Sequence, residues 1–171
     1  RHLLPITTAL FCASLPSAYA AAKGARVLVA TGRMRGDELD RRVNETARFI
    51  LDVLAEGGFG PSGSGLRAIQ KVRLMHAAVR VHLVETGAIV DETPINQEDL
   101  LGTLGTFSVV VLRALRRLGI EVAPTEAEDF FYLWRTVGAL LGVQRALLPR
   151  GLAEAEEDRK STRLNSSHRL T

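Results

Sequence analysis

The stretch Lys71-Val72-Arg73-Leu74-Met75-His76-Ala77-Ala78-Val79-Arg80 lies within a long run of helical character and decides how the rest of the chain is read. Residues three and four apart on a helix share a face, so Arg73, His76 and Arg80 point the same way. One metal-binding nitrogen therefore stands between two fixed cations. A ligand with a metal at its centre and carboxylates at its edge, such as haem, suits that grouping. A lone histidine among Val72, Met75 and Val79 is also the pattern of a satisfied core residue. Arginines on a helix are also ordinary members of surface ion pairs. The residues alone leave both readings open.

Outward from this helix nearly everything reads as helix, because apolar residues recur at three- and four-residue spacing and no β-branched run alternates for long. The expected class is all-α. Upstream, one helix is expected from Ser17 to about Thr31, then a turn through Gly32 and Gly36. Asp37 is expected to cap the next helix, whose apolar seam is Val43, Ala47, Ile50 and Leu54 and which stops at Gly57-Gly58. The stretch Gly57 to Gly65 (GGFGPSGSG) carries Pro61 and reads as a flexible connection. It lacks the lysine and hydroxyl residue of a phosphate-cradling loop and follows no strand. The central helix is expected from Leu66 to about Glu85, ending at Gly87.

Downstream, Asn96 is expected to cap a helix from Gln97 to Leu118, with Leu100, Leu101, Leu104, Phe107, Val111, Leu115 and Leu118 buried and Gly119 as its stop. Arg113, Arg116 and Arg117 on it read as a solvated flank, without the interleaved aromatics of a nucleic-acid face, so no nucleic-acid partner is expected. Thr125-x-x-Glu128 reads as a capping box opening the last clear helix, whose Phe130, Phe131, Trp134, Val137 and Leu141 belong to the core. The acidic run Glu154 to Asp158 reads as a solvated flank.

Both ends of the 171 residues are irregular. The chain begins at Arg1, and Asp158 to His168 (DRKSTRLNSSH) reads like translated sequencing-adapter DNA. The expected organisation is a partial domain over 1–157 and a non-native tail over 158–171. A hydrophobic content of 46% suffices for a core,. The net charge of +3 is small and lies partly in the tail,. The single cysteine, Cys12, excludes an internal disulfide, and no C-x-x-C-H is present for covalent haem attachment,. Arg1-His2, the apolar run Leu3 to Leu15 and Ala18-Tyr19-Ala20 imitate a secretory signal. No run approaches the roughly twenty apolar residues that span a bilayer. Zinc-protease H-E-x-x-H and di-metal Glu-x-x-His pairs are missing, and His82 lies six positions on, too far round the helix to share a site with His76.

The central stretch also resembles a segment of the family that holds the latex-clearing proteins (rubber oxygenases) and the fungal oxygenase of mycophenolic acid biosynthesis. Further words carry the resemblance: LPITTALFCASLP, AYAAAKGARVL and ATGRM near the start, PINQEDLL at Pro94 to Leu101, and FFYLWRTVG at Phe130 to Gly138. It covers about Leu3 to Val143, and it implies that the opening segment is two internal helices. The resemblance implies a helical bundle with globin-like packing around a b-type haem, with His76 as axial ligand of the iron and Arg73 and Arg80 steadying the propionates.

Arg42-Val43-Asn44-Glu45-Thr46 matches the stretch that presents an arginine, a lysine and a threonine to the distal side of the haem. Arg42 and Thr46 agree, and Glu45 stands at the lysine position. A carboxylate there reverses the local charge and puts rubber itself in doubt as substrate. In a closed apolar pocket Glu45 would serve as a proton donor or acceptor; on the surface it would pair with Arg41, Arg42 or Arg48. Thr106 or Ser108 corresponds to a hydroxyl near the haem, or bonds back to its own helix. The implied reaction is dioxygen-dependent oxidation, with cleavage of a carbon–carbon double bond in an isoprenoid or other small apolar substrate. The alternative is a helical haem- or lipid-binding protein without catalysis.

Overall fold

The computed structural model describes residues 3–20, 22–32 and 36–167, with the backbone alone at 3, 22, 23 and 160–167. Among these, every regular element is helical, so the all-α reading holds. The chain forms two compact units, one from Ala21–Asp99 with Leu140–Gly142, the other from Arg1–Ala20, Leu100–Ala139 and Val143–Thr171. No single helix among the described residues is long and apolar enough to cross a membrane.

The first unit holds the histidine. Its helices are α3 (Ala22–Ala30), α4 (Gly36–Leu54) and α5 (Ser64–Glu85). Asp37 does not cap α4 as expected; the helix begins at Gly36, which puts Asp37 and Glu38 in the first turn, where carboxylates favour the positive end of the helix dipole,. Ile50 and Val53 of α4 and Ile69 and Leu83 of α5 are buried, and the two helices pack on each other. Val27, Leu83 and Ile89 form a small cluster with Val79 and Ile95 against it. Gly87, at φ 65°, turns the chain after α5 in the left-handed region that favours glycine,.

The Gly57 to Gly65 connection is a tight, hydrogen-bonded turn and not a loose linker. Gly60 N–H donates to Gly57 O (2.9 Å), Gly63 N–H to Gly60 O (2.9 Å), Leu66 N–H to Gly58 O (3.1 Å), and Ser64 Oγ to Asp52 O (3.2 Å). A Cβ at Gly63 would collide with the backbone of Gly57 and Gly58. The glycines here allow close approach of backbone to backbone and supply no freedom.

The second unit begins with α1 (Leu3–Ala9), a π-helical turn (Leu10–Ser14) and α2 (Leu15–Tyr19). The helix expected from Ser17 to Thr31 is thus two elements: α2 ends at Tyr19 and α3 starts at Ala22, with Ala20 as a turn and Ala21 outside the described residues. Arg1, His2 and the Arg33 and Met34 of the expected turn also lie outside them. The helix expected from Gln97 to Leu118 is present but interrupted: α6 (Gln97–Gly105), a π-turn (Thr106–Val110) and α7 (Val111–Arg117) follow one another. Its last residue is a correction, because Leu118 leaves the helix and is 59% exposed.

Next come α8 (Pro124–Leu141), a short 3-10 turn (Arg145–Leu147) and α9 (Leu152–Ser167). The capping box of α8 is shifted from the expected Thr125 and Glu128. Pro124 takes the first helical position and Glu126 accepts the Ala123 N–H (3.1 Å), while Glu128 reaches away to accept the Leu152 N–H (3.3 Å),. Val109, Leu112, Ala127, Phe131, Leu152 and Ala155 make one core cluster, and Trp134 stacks on Phe107 at 5.2 Å,. The flank residues are more engaged than expected: Arg116 pairs with Glu156 (2.8 Å) and Arg113 donates to the Glu156 carbonyl (3.1 Å). Helix α9 runs into the stretch read as a tail, and Arg159 donates to Gly102 O (3.4 Å). Residues 168–171 lie outside the described part.

Candidate functional site

Helix α5 carries His76 against α4, near Arg42 of that helix and Arg80 one turn along its own. Its Nδ1 is enclosed and has no hydrogen-bond partner among the described residues. A satisfied core histidine would have one. Burial, then the positive charges of Arg42 and Arg80, push its pKa down from 6.5 to about 4,. At neutral pH the imidazole is therefore uncharged, the form in which it ligates a metal.

The two arginines that share its face are anchored to backbone. Arg73 Nη1 donates to Leu140 O (3.1 Å) at the end of α8, and its guanidinium lies along Gly142, whose φ of 102° excludes most other residues. Arg80 donates from Nε to Pro94 O (3.1 Å) and from Nη2 to Ile95 O (2.8 Å). A guanidinium has five N–H donors, so these bonds leave most of each fork free for an anion. Ile95 is held at φ 52°, a left-handed conformation rare for a β-branched side chain,. The next residue caps α6 as expected: Asn96 Oδ1 accepts the Asp99 N–H and Asp99 Oδ2 accepts the Asn96 N–H, both at 3.0 Å,. Gln97 Nε2 then donates to Gly142 O (3.1 Å).

On α4, Arg42 is partly buried and its charge reaches His76. Thr46 Oγ1 donates to Arg42 O (2.9 Å), which leaves its oxygen as an acceptor,. Glu45 takes the surface alternative: it accepts from Arg41 Nε (3.0 Å) with its side chain 47% exposed, not enclosed in an apolar pocket. The structure thus brings Arg42, His76 and Arg80 together, flanks them with Arg73 and Thr46, and turns Glu45 toward solvent. Sequence reasoning missed Pro94, Ile95 and Leu140, whose carbonyls hold the arginines; a proline two residues before a helix cap was the one available signal of a special turn. Thr106 and Ser108 both bond back to their own helix, to Thr103 O (2.7 Å) and Leu104 O (2.8 Å).

The family described as ER-bound oxygenase mpaB/B'/Rubber oxygenase, catalytic domain, matches residues 3–159. The chain belongs to this family. The rubber oxygenase of Streptomyces sp. (strain K30) is 29% identical to it over 120 residues, 67% of this chain. That match spans 29% of the relative's own length. No solved structure matches the chain. The matched residues include α1 and α2; Leu10 of the π-turn between them and Leu15 of α2 are core residues.

The donor set around His76 fits a haem. A metal ion held by protein alone needs three or more ligands, and no cluster of three His, Cys, Asp or Glu occurs among the described residues,. A single uncharged nitrogen suffices for a metal whose other ligands come from a tetrapyrrole. The unpartnered Nδ1 and the free N–H groups of two arginines are the features such a group requires.

Proposed function

We propose that this chain contributes the haem-holding part of a haem b-dependent oxygenase that oxidises an isoprenoid or other small apolar substrate with dioxygen. The carrying observation is the enclosed, uncharged His76 with its unpartnered nitrogen, set among arginines in a chain that belongs to the oxygenase catalytic-domain family. When bound, the haem supplies the iron at which dioxygen is activated. His76 would hold that iron, and Arg73 and Arg80, anchored to backbone carbonyls, would bind the propionates. Arg42, whose charge reaches His76, would supply a positive charge beside the bound group, where it would favour negative charge,. Thr46 offers an acceptor oxygen one turn away. Glu45 can hold or release a proton at its carboxylate only when its pair with Arg41 opens, so its part is peripheral in the arrangement described.

Absorbance of the purified, haem-supplemented protein tests the reading. Wild type is expected to show a Soret band that His76→Ala lacks; a His76→Ala protein with full haem occupancy overturns the ligand assignment. Oxygen uptake with polyisoprene, squalene and small unsaturated terpenoids separates oxygenase from carrier. Haem binding without consumption across that panel favours the non-catalytic alternative. A Glu45→Gln protein with unchanged uptake assigns Glu45 to the surface pair alone.

A further inference from the structure

The two stretches of backbone that seat Arg73 and Arg80 are joined by one side chain. Arg80 donates to Pro94 O and Ile95 O, and Gln97, two residues past Ile95, donates from Nε2 to Gly142 O (3.1 Å). Gly142 in turn lies two residues past Leu140, whose carbonyl accepts from Arg73 Nη1, and the Arg73 guanidinium lies along Gly142 itself. All these residues belong to the first unit. A continuous path of hydrogen bonds and short backbone links therefore runs from Arg80 through Gln97 to Arg73.

Each link in that path is stiff. Ile95 is fixed at φ 52°, and the reciprocal bonds of Asn96 and Asp99 set the start of α6, where Gln97 is the first helical residue. At the far end Gly142 stands at φ 102°, so its peptide adopts a direction that other residues resist,. The arginines differ in how firmly they are held. Arg80 is half-buried and bonds two carbonyls, whereas Arg73 is exposed and bonds one. A long exposed side chain samples several rotamers unless its head has a fixed seat, and the seat of Arg73 is the peptide that Gln97 grips,.

We propose that Gln97 is a positioning residue that sets the separation of the Arg73 and Arg80 guanidiniums and so fits the site to a ligand with two carboxylates on a rigid frame. The proposal rests on the haem reading, in which those carboxylates are the propionates. Gln97 acts through the arginines: a cation held in place before binding loses less freedom when the anion arrives.

Soret titrations of the full chain, freed of haem, with haem and with haem dimethyl ester, whose propionates are uncharged, test this. Wild type is expected to bind the free acid more tightly and to give the same Soret maximum with both, because His76 is the ligand in each. Gln97→Met has a side chain of comparable reach and helix propensity without the donor, so it is expected to fold. Its preference for the free acid should fall about tenfold, the worth of one charge-assisted hydrogen bond, with the Soret maximum unmoved. Gly142→Ala should lower the preference as well, and the two losses should not add, since both act on one peptide,. An unchanged preference in Gln97→Met, or an equal loss of affinity for both porphyrins, overturns the positioning role and leaves the haem reading standing. A wild type that binds both porphyrins equally overturns the pairing of arginines with propionates and this proposal with it; one that binds neither overturns the haem reading as well.

Discussion

Replacing Arg80 by methionine keeps an unbranched apolar stem and removes the fork that holds Pro94 O and Ile95 O at 3.1 and 2.8 Å. A hydrogen bond from a charged donor contributes about 1.5–3 kcal/mol, and the lower end applies at this partly buried site, so two bonds contribute about 3 kcal/mol. Part of that loss is recoverable. Once released, Ile95 can leave its left-handed conformation, which costs a side chain of this kind about 1–2 kcal/mol. The expected destabilisation of Arg80→Met is therefore about 1–2 kcal/mol in the wild-type background. In an Ile95→Gly background there is no strain to release, and the same substitution should cost about 3 kcal/mol. Arg80→Lys should lie close to Arg80→Met, because an ammonium cannot reproduce a two-pronged contact.

Urea unfolding followed by helical circular dichroism reads all three, without cofactor. A second readout is the His76 imidazole, whose titration should move up toward 6.5 when the Arg80 charge is removed,. An Arg80→Met protein within about 0.5 kcal/mol of wild type in both backgrounds would show that the carbonyl bonds contribute nothing, and the account of the Pro94–Ile95 turn would fail.

Since His76 stays unprotonated in the fold down to about 4 while the unfolded chain takes up a proton below 6.5, stability should fall as pH drops through that window,. The loss is up to about 3 kcal/mol by the two-state linkage relation, and His76→Phe should flatten it in pH-dependent urea titrations. Gly63→Ala should destabilise by about 2 kcal/mol, since its methyl meets backbone that must move, whereas Gly102→Ala on the open side of α6 should stabilise by about 0.5–1 kcal/mol,. Equal effects at the two positions would contradict the close-packed turn. Trp134→Ala, which removes a buried ring stacked on Phe107, should cost about 3–5 kcal/mol in the same denaturation assay,.

Much of this was legible without coordinates, because it depends on neighbours a few residues apart. The three- and four-residue period reveals the helices, the Asn96–Asp99 spacing reveals a cap, and Gly87 and Gly119, at φ 65° and 72°, follow the ends of their helices as glycines do,. Helical geometry alone puts Arg73, His76 and Arg80 on one face. Family words spread from Leu3 to Gly138 point to the catalytic-domain family that matches residues 3–159. Each of these signals is written in local spacing or in the wording of the chain.

Tertiary structure alone decided what those residues meet. Arg73 finds the Leu140 carbonyl 67 positions away, and no periodicity encodes that pairing. His76 is neutral because packed neighbours remove water and two cations face it, a property of the assembled unit. The glycine stretch looks like a linker by composition, yet it is a tight turn because backbone from Asp52 to Leu66 closes on itself. Glu45 sits on the helical face that includes Arg42 and Thr46, and only the fold shows that Arg41 draws it to solvent. Local pattern specifies which element forms; desolvation and long-range hydrogen bonding, which need the packed partner, specify what that element does.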